Sequence, residues 1–521
     1  MQRLLAIVLL AAALTGCATN PVTGRKEIQM ISEGQEIQLG QQYYGPSRQA
    51  QGGDYVTDPR VTQYVQQVGN RLAAVADRPL PYEFVVLNSG ELNAWALPGG
   101  KIAINRGLLI ELKNEAELAA VLGHEIVHAA ARHGAQQMEK GQLLQIGAAI
   151  ATIGAAAYGG SDLGNVVGQG AAVGAQLLQA KYGRDDELES DLYGMKYMKL
   201  AGYDLQAAVS LQELFVRKYS AGVEQDWMTG LFASHPPSQE RVDANRRTMM
   251  EKGGPGGDLG TDRYQAAMAG LKRAAPAYAK HQQAIAAANK KDFATARRLA
   301  NEAVKLEPRE ARFHGLLGDL EMASENPRGA LAHFQKAGQL DPGYFKPMVQ
   351  AGMAQYQLGN KAAAEPLLTR SMQLLPTAPG AYYLGRINED RGNSTEAVKL
   401  YKMAAGSKSP LGEEALGRLV RLDLAQNPET YLSIQPQLDN QGRVWITVGN
   451  RTTLPVSNVS LVVGVVDQSG RTVYGPERIG TGGDVIPGRK AVNLRTSLGP
   501  FNTGDVLRYV KWKVESARPA P

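Results

Sequence analysis

A period of 34 residues in the second half of the chain is the feature that most constrains its fold. The segments Leu306-Glu-Pro308, Leu340-Asp-Pro342 and Leu375-Pro376 place prolines 34 residues apart, twice in succession. A unit of this length holds one pair of helices, which cannot bury its apolar face alone and therefore stacks on its neighbours. The period predicts a helical solenoid with a concave groove.

Small and packing residues recur at the same interval. In the unit that begins at Ala311 they are Gly318, Ala330, Phe334 and Ala337. Gly352 and Ala364 follow one period later. A third unit, shifted by one residue, has Gly385, Ala397, Tyr401 and Ala404. The pattern resembles the tetratricopeptide repeat and, with a weaker unit before Pro308, predicts about four helix pairs in an α-solenoid at residues 261–428.

The rest of the chain separates into regions of different pattern. A mainly α-helical region ends at Lys252, before the linker Gly253-Gly254-Pro255-Gly256-Gly257. At residues 431–516 apolar and polar residues alternate, and Gly, Asn and Pro interrupt the alternation. We therefore expect a multidomain chain with folded domains at residues 17–252, 261–428 and 431–516. The last is expected to be an antiparallel β-sandwich with a structural or docking role.

Candidate chemistry is concentrated in the first domain. The segment from Glu115 to His133 contains helix formers and the pattern His124-Glu125-Ile-Val-His128. Two imidazoles one turn apart can bind one zinc ion, and Glu125 can act as general base. Zinc lowers the pKa of a coordinated water from 15.7 to about 7. The competing interpretation is a solvated helix face. His133 is predicted to be structural, since a continued helix would place it off the His128 face.

A catalytic zinc site needs a third protein ligand, and an acidic segment downstream supplies candidates. Glu187 and Asp191 are one helical turn apart, so Glu187 can bind the metal while Asp191 orients a ligand histidine. Glu189 would point elsewhere on such a helix. An acidic surface turn is the alternative. The single cysteine excludes a cysteine-rich metal site and any internal disulfide.

Several motifs together resemble peptidase family M48, specifically its periplasmic lipoprotein branch with tetratricopeptide repeats. They are Asn20-Pro-Val-Thr-Gly-Arg25, Asn93-Ala-Trp-Ala-Leu-Pro-Gly-Gly100, HEIVH, Glu187-x-x-x-Asp191, and Ser234-His235-Pro236 with Arg241. The resemblance covers the first two domains and implies that Glu187 is the third zinc ligand. The family commonly has Ser-Arg before this glutamate and Ala before the aspartate. This chain has Gly183-Arg184 and Ser190, which remove no ligand.

Two further motifs are candidates for substrate contacts and catalysis. Residues 93–104 predict a strand, a Pro-Gly-Gly turn and a second strand, in a small β-hairpin beside the HExxH helix. Asn93, Ala94 and Trp95 at this edge could hold an extended substrate by main-chain pairing, or the hairpin could be purely structural. His235 could stabilise the oxyanion or occupy the open metal position in a resting state. Arg241 could pair with His235 or cap a helix.

The N-terminus predicts export and lipidation. Arg3 precedes an apolar run from Leu4 to Leu14 that is too short to span a bilayer, as in a secretory signal at residues 1–16. Leu14-Thr15-Gly16-Cys17 resembles a bacterial lipobox, which implies acylation of Cys17, and the following Ala18 implies the outer membrane, facing the periplasm. The alternative is an ordinary secreted protein with a cysteine near its cleavage site.

The Ala- and Gly-rich residues 143–178 predict a helical hairpin over the active site, because each half is short of the roughly 20 apolar residues of a membrane span. A transmembrane hairpin is the alternative. The net charge of +6 comes from dispersed charges without a basic run, so nucleic acid is not an expected partner.

These features predict a zinc metalloendopeptidase with one zinc per chain. Its expected substrates are unfolded or misassembled envelope proteins, and its repeat groove is expected to recruit substrate or a protein partner. The resemblance implies a role in quality control or assembly of outer-membrane proteins. A chaperone or assembly adaptor with a latent peptidase site is the alternative. A membrane-spanning protease of prenylated or signal peptides would need spans that the sequence lacks.

Overall fold

The computed structural model describes residues 16–140, 182–220 and 231–520. One compact unit extends to Leu358, and a second begins at Gly359 and runs to the C-terminus. Residues 1–15 of the predicted signal peptide and the predicted hairpin at residues 143–178 lie outside the described residues. Within the described ranges, no helix has the length and apolar content that crossing a membrane requires.

The first unit opens with two short antiparallel strands, β1 (Gly16–Thr19) and β2 (Lys26–Gln29), and two helices, α1 (Glu33–Ala50) and α2 (Pro59–Ala73). A three-stranded sheet follows, built from β3 (Glu83–Leu87), β4 (Ala94–Leu97) and β5 (Lys101–Asn105). Its order is β3-β5-β4, with β3 parallel and β4 antiparallel to β5. Gly99 and Gly100 have φ of 77° and 82° in the turn between β4 and β5, which explains the glycine pair.

The described residues of the metal-binding part of this unit also form α3 (Arg106–Glu111), α4 (Glu115–Ala130), α5 (Arg184–Leu200), α6 (Gln206–Ser220), α7 (Leu231–Ser234) and α8 (Gln239–Glu251). Residues 133–140 are helical as well. The Asn114 side chain caps α4 by accepting a hydrogen bond of 2.8 Å from the backbone nitrogen of Glu117. Nearly every residue of α4 is buried, so this helix is central to the core.

The helices of the repeat region begin in the same unit: α9 (Thr261–Asn289), α10 (Phe293–Leu306), α11 (Ala311–Ala323), α12 (Pro327–Leu340) and α13 (Phe345–Gln357). The second unit continues with α14 (Lys361–Leu374), α15 (Ala378–Asp390), α16 (Ser394–Ala405), α17 (Pro410–Asp423) and the short α18 (Pro428–Tyr431). The predicted α-solenoid of helix pairs is confirmed.

The spacing of small residues in the repeats has a steric cause. A Cβ on Gly318 would lie 2.4 Å from the Phe334 ring, and a Cβ on Gly385 would lie 2.7 Å from the Tyr401 ring. In both of these repeats, an aromatic ring on the second helix therefore packs against a glycine on the first helix.

A buried carboxylate ties the repeats to the metal-binding part within the first unit. Glu310, at the start of α11, is fully buried and accepts hydrogen bonds from Thr57 Oγ1 and Asn88 Nδ2, each at 3.0 Å, and from the Tyr278 hydroxyl at 2.5 Å. The Tyr264 hydroxyl donates to the Leu109 carbonyl at 2.5 Å. The segment at residues 253–257 is also held in place, because the Asp258 nitrogen that follows it donates to the Gly202 carbonyl at 2.9 Å.

The second unit ends in two antiparallel sheets of three strands. The first has the order β10-β7-β6, formed by β6 (Leu432–Leu438), β7 (Val444–Asn450) and β10 (Ala491–Arg495). The second has the order β11-β8-β9, formed by β8 (Val456–Val466), β9 (Thr472–Gly480) and β11 (Val510–Pro519). Buried residues alternate along β7, which confirms the predicted antiparallel β-structure.

The pH dependence of stability should show the burial of His281 on α9. Its side chain packs against the Phe313 ring, and burial, with a smaller contribution from Arg312, lowers its pKa from 6.5 to about 4. Stabilisation by the neutral imidazole is therefore complete above pH 6.5 and is lost as the pH falls through 4. We expect a loss of about 3 kcal/mol at pH 4. Calorimetry should show a steeper decline for the wild type than for His281→Phe, whereas parallel curves would contradict the assignment.

Candidate active site

The site lies where α4 and α5 approach most closely. A Cβ on Gly123 would lie 3.2 Å from the Gly194 carbonyl oxygen, and a Cβ on Gly194 would lie 3.1 Å from the His124 backbone nitrogen. Because no side chain separates the helices at this point, the carboxylates of α5 can reach the imidazoles of α4.

Four buried side chains converge in this space: His124, His128, Glu187 and His235. The Nε2 atoms of His124 and His128 are 3.0 Å apart. Glu187 places Oε2 at 3.4 Å from His124 Nε2 and Oε1 at 3.4 Å from His128 Nε2. His235 Nδ1 lies 2.8 Å from Glu187 Oε1 and 3.3 Å from His124 Nε2. One ligand atom from each of the four residues lies within 4.8 Å of all the others.

These separations fit a zinc ion. A tetrahedral zinc site with bonds of about 2.0–2.1 Å has ligand atoms about 3.3–3.4 Å apart. The donor set of buried imidazoles and one carboxylate suits zinc. Zinc is the cofactor of this site, and the cluster can hold one ion.

The electrostatics of the cluster favour a cation. Burial disfavours the imidazolium form, but Glu187 and Asp191 outweigh it and raise the pKa of His124 to about 9. Burial lowers the pKa of His128 well below its ordinary value. Burial also opposes ionisation of Glu187, yet His235, Arg241 and His124 hold the pKa of this carboxyl well below its ordinary value. The carboxylates of Glu187 and Asp191 thus place negative charge beside His124, while burial keeps His128 neutral, the form in which an imidazole binds a metal ion.

Asp191 and Arg241 form a second layer around the cluster. Asp191 Oδ1 lies 2.9 Å from His124 Nδ1, on the ring edge away from the cluster. Arg241 donates from Nε to Asp191 Oδ2 at 2.7 Å and from Nη2 to Oδ1 at 2.8 Å, and its Nη1 lies 2.7 Å from Glu187 Oε2. From the sequence, two roles were predicted for Arg241: pairing with His235 or capping a helix. The structure pairs its side chain with the two carboxylates of α5.

Glu125 lies next to the cluster and is 1% exposed. Its Oε1 lies 3.7 Å from His235 Nε2, and its Oε2 accepts no hydrogen bond from the residues that the structure describes. Burial raises the pKa of Glu125 above its ordinary value. A carboxylate with a raised pKa is a stronger proton acceptor than an ordinary glutamate, as a general base requires.

The predicted substrate edge is partly buried. β4 is the terminal strand of its sheet among the described residues, with its main chain paired to β5. Ala94 is fully buried, and Trp95, 5% exposed, donates from Nε1 to Gln51 Oε1 at 3.0 Å. The Trp95 ring is therefore part of the core. Asn93 is more accessible, and its buried Oδ1 has no hydrogen-bond partner.

Two neighbours of the cluster were not expected from the sequence. The Tyr182 ring stacks on His128 with centroids 3.9 Å apart, a tertiary contact that no spacing indicates. His133 Nδ1 lies 2.9 Å from His128 Nδ1. The prediction that His133 lies off the His128 face assumed a continuous helix. In the structure α4 ends at Ala130, and Arg132 has a φ of 66°.

A cavity of about 40 Å³ opens beside Glu125. Its walls come from α4, α5, α6 and α8 and from His235, and they combine polar with apolar side chains. Within the described part of the chain, the buried Oε1 of Gln212 has no hydrogen-bond partner. The apolar lining includes Ala120, Val121, Met195, Met198, Leu211 and Phe215.

Comparison with known proteins agrees with this geometry. The model of peptidase family M48 matches residues 59–248, and a tetratricopeptide repeat model matches residues 281–345 and 349–411. The metalloprotease YcaL of Escherichia coli K12 is 30% identical over 252 residues, which cover 46% of this chain and 93% of that protein. The chain belongs to peptidase family M48.

Two further relatives of this M48 peptidase carry the name beta-barrel assembly-enhancing protease. The Yersinia pestis protein is 27% identical over 410 residues, covering 73% of this chain and 81% of that protein. The Escherichia coli K12 protein is 30% identical over 238 residues, covering 44% of this chain and 47% of that protein. The predicted combination of a zinc metallopeptidase with tetratricopeptide repeats is confirmed.

Removal of the Arg241 side chain should destabilise the M48 peptidase strongly. Arg241→Met keeps most of the side-chain volume but leaves Glu187 and Asp191 buried without their cation, and breaking such a pair costs about 3–5 kcal/mol. Thermal unfolding in the presence of a chelator should reveal this loss. Arg184→Met is the matched control, because Arg184 pairs with Glu240 on the surface and its loss should leave the melting temperature nearly unchanged. Equal effects of the two substitutions would contradict the electrostatic role of Arg241.

Proposed function

We propose that this M48 peptidase is an endopeptidase that hydrolyses peptide bonds of extended or misfolded proteins of the bacterial envelope. The observation that carries the proposal is the convergence of His124, His128 and Glu187 beside the buried carboxyl of Glu125, whose Oε2 has no hydrogen-bond partner among the described residues. In this proposal the first three residues hold zinc. Bound zinc would polarise the scissile carbonyl and acidify the attacking water.

The remaining steps are carried by side chains of the protein. Glu125 accepts the proton of the attacking water and delivers it to the leaving amine, since its raised pKa suits both directions of transfer. Asp191 orients His124 through Nδ1. Arg241 keeps Asp191 and Glu187 ionised in spite of their burial.

We propose that His235 closes the resting site. Its Nδ1 occupies the fourth corner of the cluster, at 3.3 Å from His124 Nε2 and 2.8 Å from Glu187 Oε1. The approaching substrate would displace the ring, so hydrolysis would depend on substrate engagement. A role in stabilising the oxyanion is the alternative, and it predicts the opposite effect of removing the imidazole.

For substrate binding, we propose that main-chain groups of β4 pair with an extended peptide and that the Asn93 side chain adds a polar contact. Support comes from the terminal place of β4 in its sheet and from the unpartnered Asn93 Oδ1. We propose that the apolar side of the cavity beside Glu125, which includes Val121, Met195 and Leu211, receives a small apolar side chain of the substrate.

The proposed location is the periplasmic face of the outer membrane, with Cys17 as the lipid attachment site. Support comes from the lipobox pattern and from Asn20, whose side-chain amide donates to the Ala131 carbonyl at 2.9 Å. Three residues after the proposed anchor, the chain is thus held at the end of α4. Lipidation would keep the active site close to the membrane surface.

A role in quality control or assembly of outer-membrane proteins is proposed from the names of the relatives. The domain division at residues 17–252, 261–428 and 431–516 is retained as a functional proposal, with the repeat groove binding a protein partner. The alternative is an adaptor whose peptidase site is latent, which would bind zinc without cleaving protein.

Separate removal of the base and of a ligand should distinguish their roles. Glu125→Gln should retain zinc but reduce casein degradation at least about 100-fold, because it removes proton transfer alone. Glu187→Ala should lose zinc, measured by mass spectrometry on protein that begins at Cys17 without lipid. Glu240→Gln, in an exposed carboxylate on α8, is the control and should behave as wild type. Zinc binding without any proteolysis in the wild type would favour the adaptor, and no zinc would refute the proposal.

The closure proposal predicts a gain of activity. His235→Ala removes the fourth ligand atom from the resting cluster, so casein degradation should rise above the wild-type rate, about two-fold or more if closure limits access. Rates are compared at equal zinc occupancy. A fall in rate would instead assign His235 to transition-state stabilisation.

A further inference from the structure

The backbone at the end of α4 is arranged to bring His133 back to the metal cluster. The helix ends at Ala130, and Arg132 adopts the left-handed conformation with a φ of 66°. A non-glycine residue in this conformation costs roughly 1 kcal/mol or more, so the surrounding contacts must hold it there. The guanidinium of Arg132 is buried, donates to the Ile31 carbonyl at 2.8 Å and to Glu139 Oε1 at 3.2 Å, and also pairs with Glu36.

The turn places His133 between a ring nitrogen of His128 and a carboxylate. His133 is 3% exposed, with Nδ1 at 2.9 Å from His128 Nδ1 and Nε2 at 3.2 Å from Glu189 Oε1. The Glu189 carboxylate is in turn 3.6 Å from the Arg25 guanidinium. The Ser190 hydroxyl lies 3.4 Å from His133 Nδ1.

Zinc binding determines where the protons lie in this series of hydrogen-bonded side chains. His128 can offer a lone pair at Nε2, the atom that faces Glu187 and His124, only if its proton is on Nδ1. The His128 Nδ1–H then donates to His133 Nδ1, which must be unprotonated. The remaining proton of His133 is on Nε2 and donates to Glu189. All three groups are satisfied in a single arrangement.

We propose that His133 and Glu189 are positioning residues that hold His128 in the tautomer and orientation required for zinc. The proposal rests on the assignment of His128 as a zinc ligand. The two ligand histidines are then supported differently: His124 directly by the Asp191 carboxylate, and His128 through an intervening imidazole. The loss of an outer partner of a ligand histidine weakens metal binding by about 10- to 100-fold.

Two substitutions of His133 separate this role from simple packing. In His133→Asn, the side-chain oxygen can take the place of Nδ1, so an acceptor for His128 remains although the ring is lost. In His133→Phe, the ring remains without an acceptor. Positioning predicts that the phenylalanine variant binds zinc about 10- to 100-fold more weakly and that the asparagine variant stays closer to wild type. Packing alone predicts the reverse order, because asparagine leaves a cavity.

The experiment measures the zinc dissociation constant of the full chain from Cys17 by competition with a chelator. Absorption spectra of the cobalt-substituted protein report ligand geometry independently of activity. Melting temperatures of the metal-free variants identify any general loss of fold. His333→Phe on α12 is the control for a histidine-to-phenylalanine change in the same unit, and its zinc affinity should equal that of the wild type.

The carboxylate provides a second pair of variants if His133→Phe does not fold. Glu189→Gln keeps an acceptor for His133 Nε2, whereas Glu189→Leu removes it, so the leucine variant should bind zinc more weakly than the glutamine variant. Unchanged zinc affinity and cobalt spectra in both Glu189 variants, or tighter binding by His133→Phe than by His133→Asn, would overturn the proposal. These results would leave the proposed peptidase function intact, since that function fails only if the wild type binds no zinc or does not cleave protein.

Discussion

The structure around the active site depends on the cost of burying carboxylates next to one another. Glu125, Glu187 and Asp191 are almost completely removed from solvent within one small volume. Desolvation alone would protonate such groups, and a protonated Glu187 could not bind a metal ion. Arg241 and the imidazoles supply the compensating positive charge for Glu187 and Asp191. For Glu125, His235 Nε2 at 3.7 Å from Oε1 does not offset burial, which raises the pKa of this carboxyl. One cluster thus separates carboxylates that stay ionised from one that can exchange a proton.

The same cluster constrains the relative positions of the elements that carry it. The ligand atoms come from α4, from α5 and from the segment before α8, so small shifts of any element would change separations of 3.0–3.4 Å. The glycine contact between α4 and α5 fixes the closest approach. The first repeats belong to the same compact unit, held by Glu310 and by contacts of α9 with the metal-binding part. A ligand that binds the repeats of this unit would therefore bind the same compact unit that contains the active site.

Much of the fold could be predicted because its signals are local. The proline period and the recurrence of small residues require helix pairs, and alternation near the C-terminus requires strands. The candidate ligands His124, His128 and Glu187 could be named from two helical spacings of four residues. The prediction for His133 assumed a continuous α4, whereas this helix ends at Ala130 and Arg132 adopts the left-handed conformation. The partners of Arg241 could not be chosen, because pairing across 50 residues leaves no periodic pattern.

The sequence by itself determined the chemical inventory, the helical spacing of the ligands and the order of the architectural elements, because these depend on neighbours within a few residues. Only the tertiary structure decided which side chains meet. It brought His235 into the cluster, buried Trp95 in the core, stacked Tyr182 on His128 and placed His133 and Glu189 behind that ligand. Such contacts depend on how separate elements pack and on which buried charges find partners, and neither is encoded in the spacing of residues along one helix or strand.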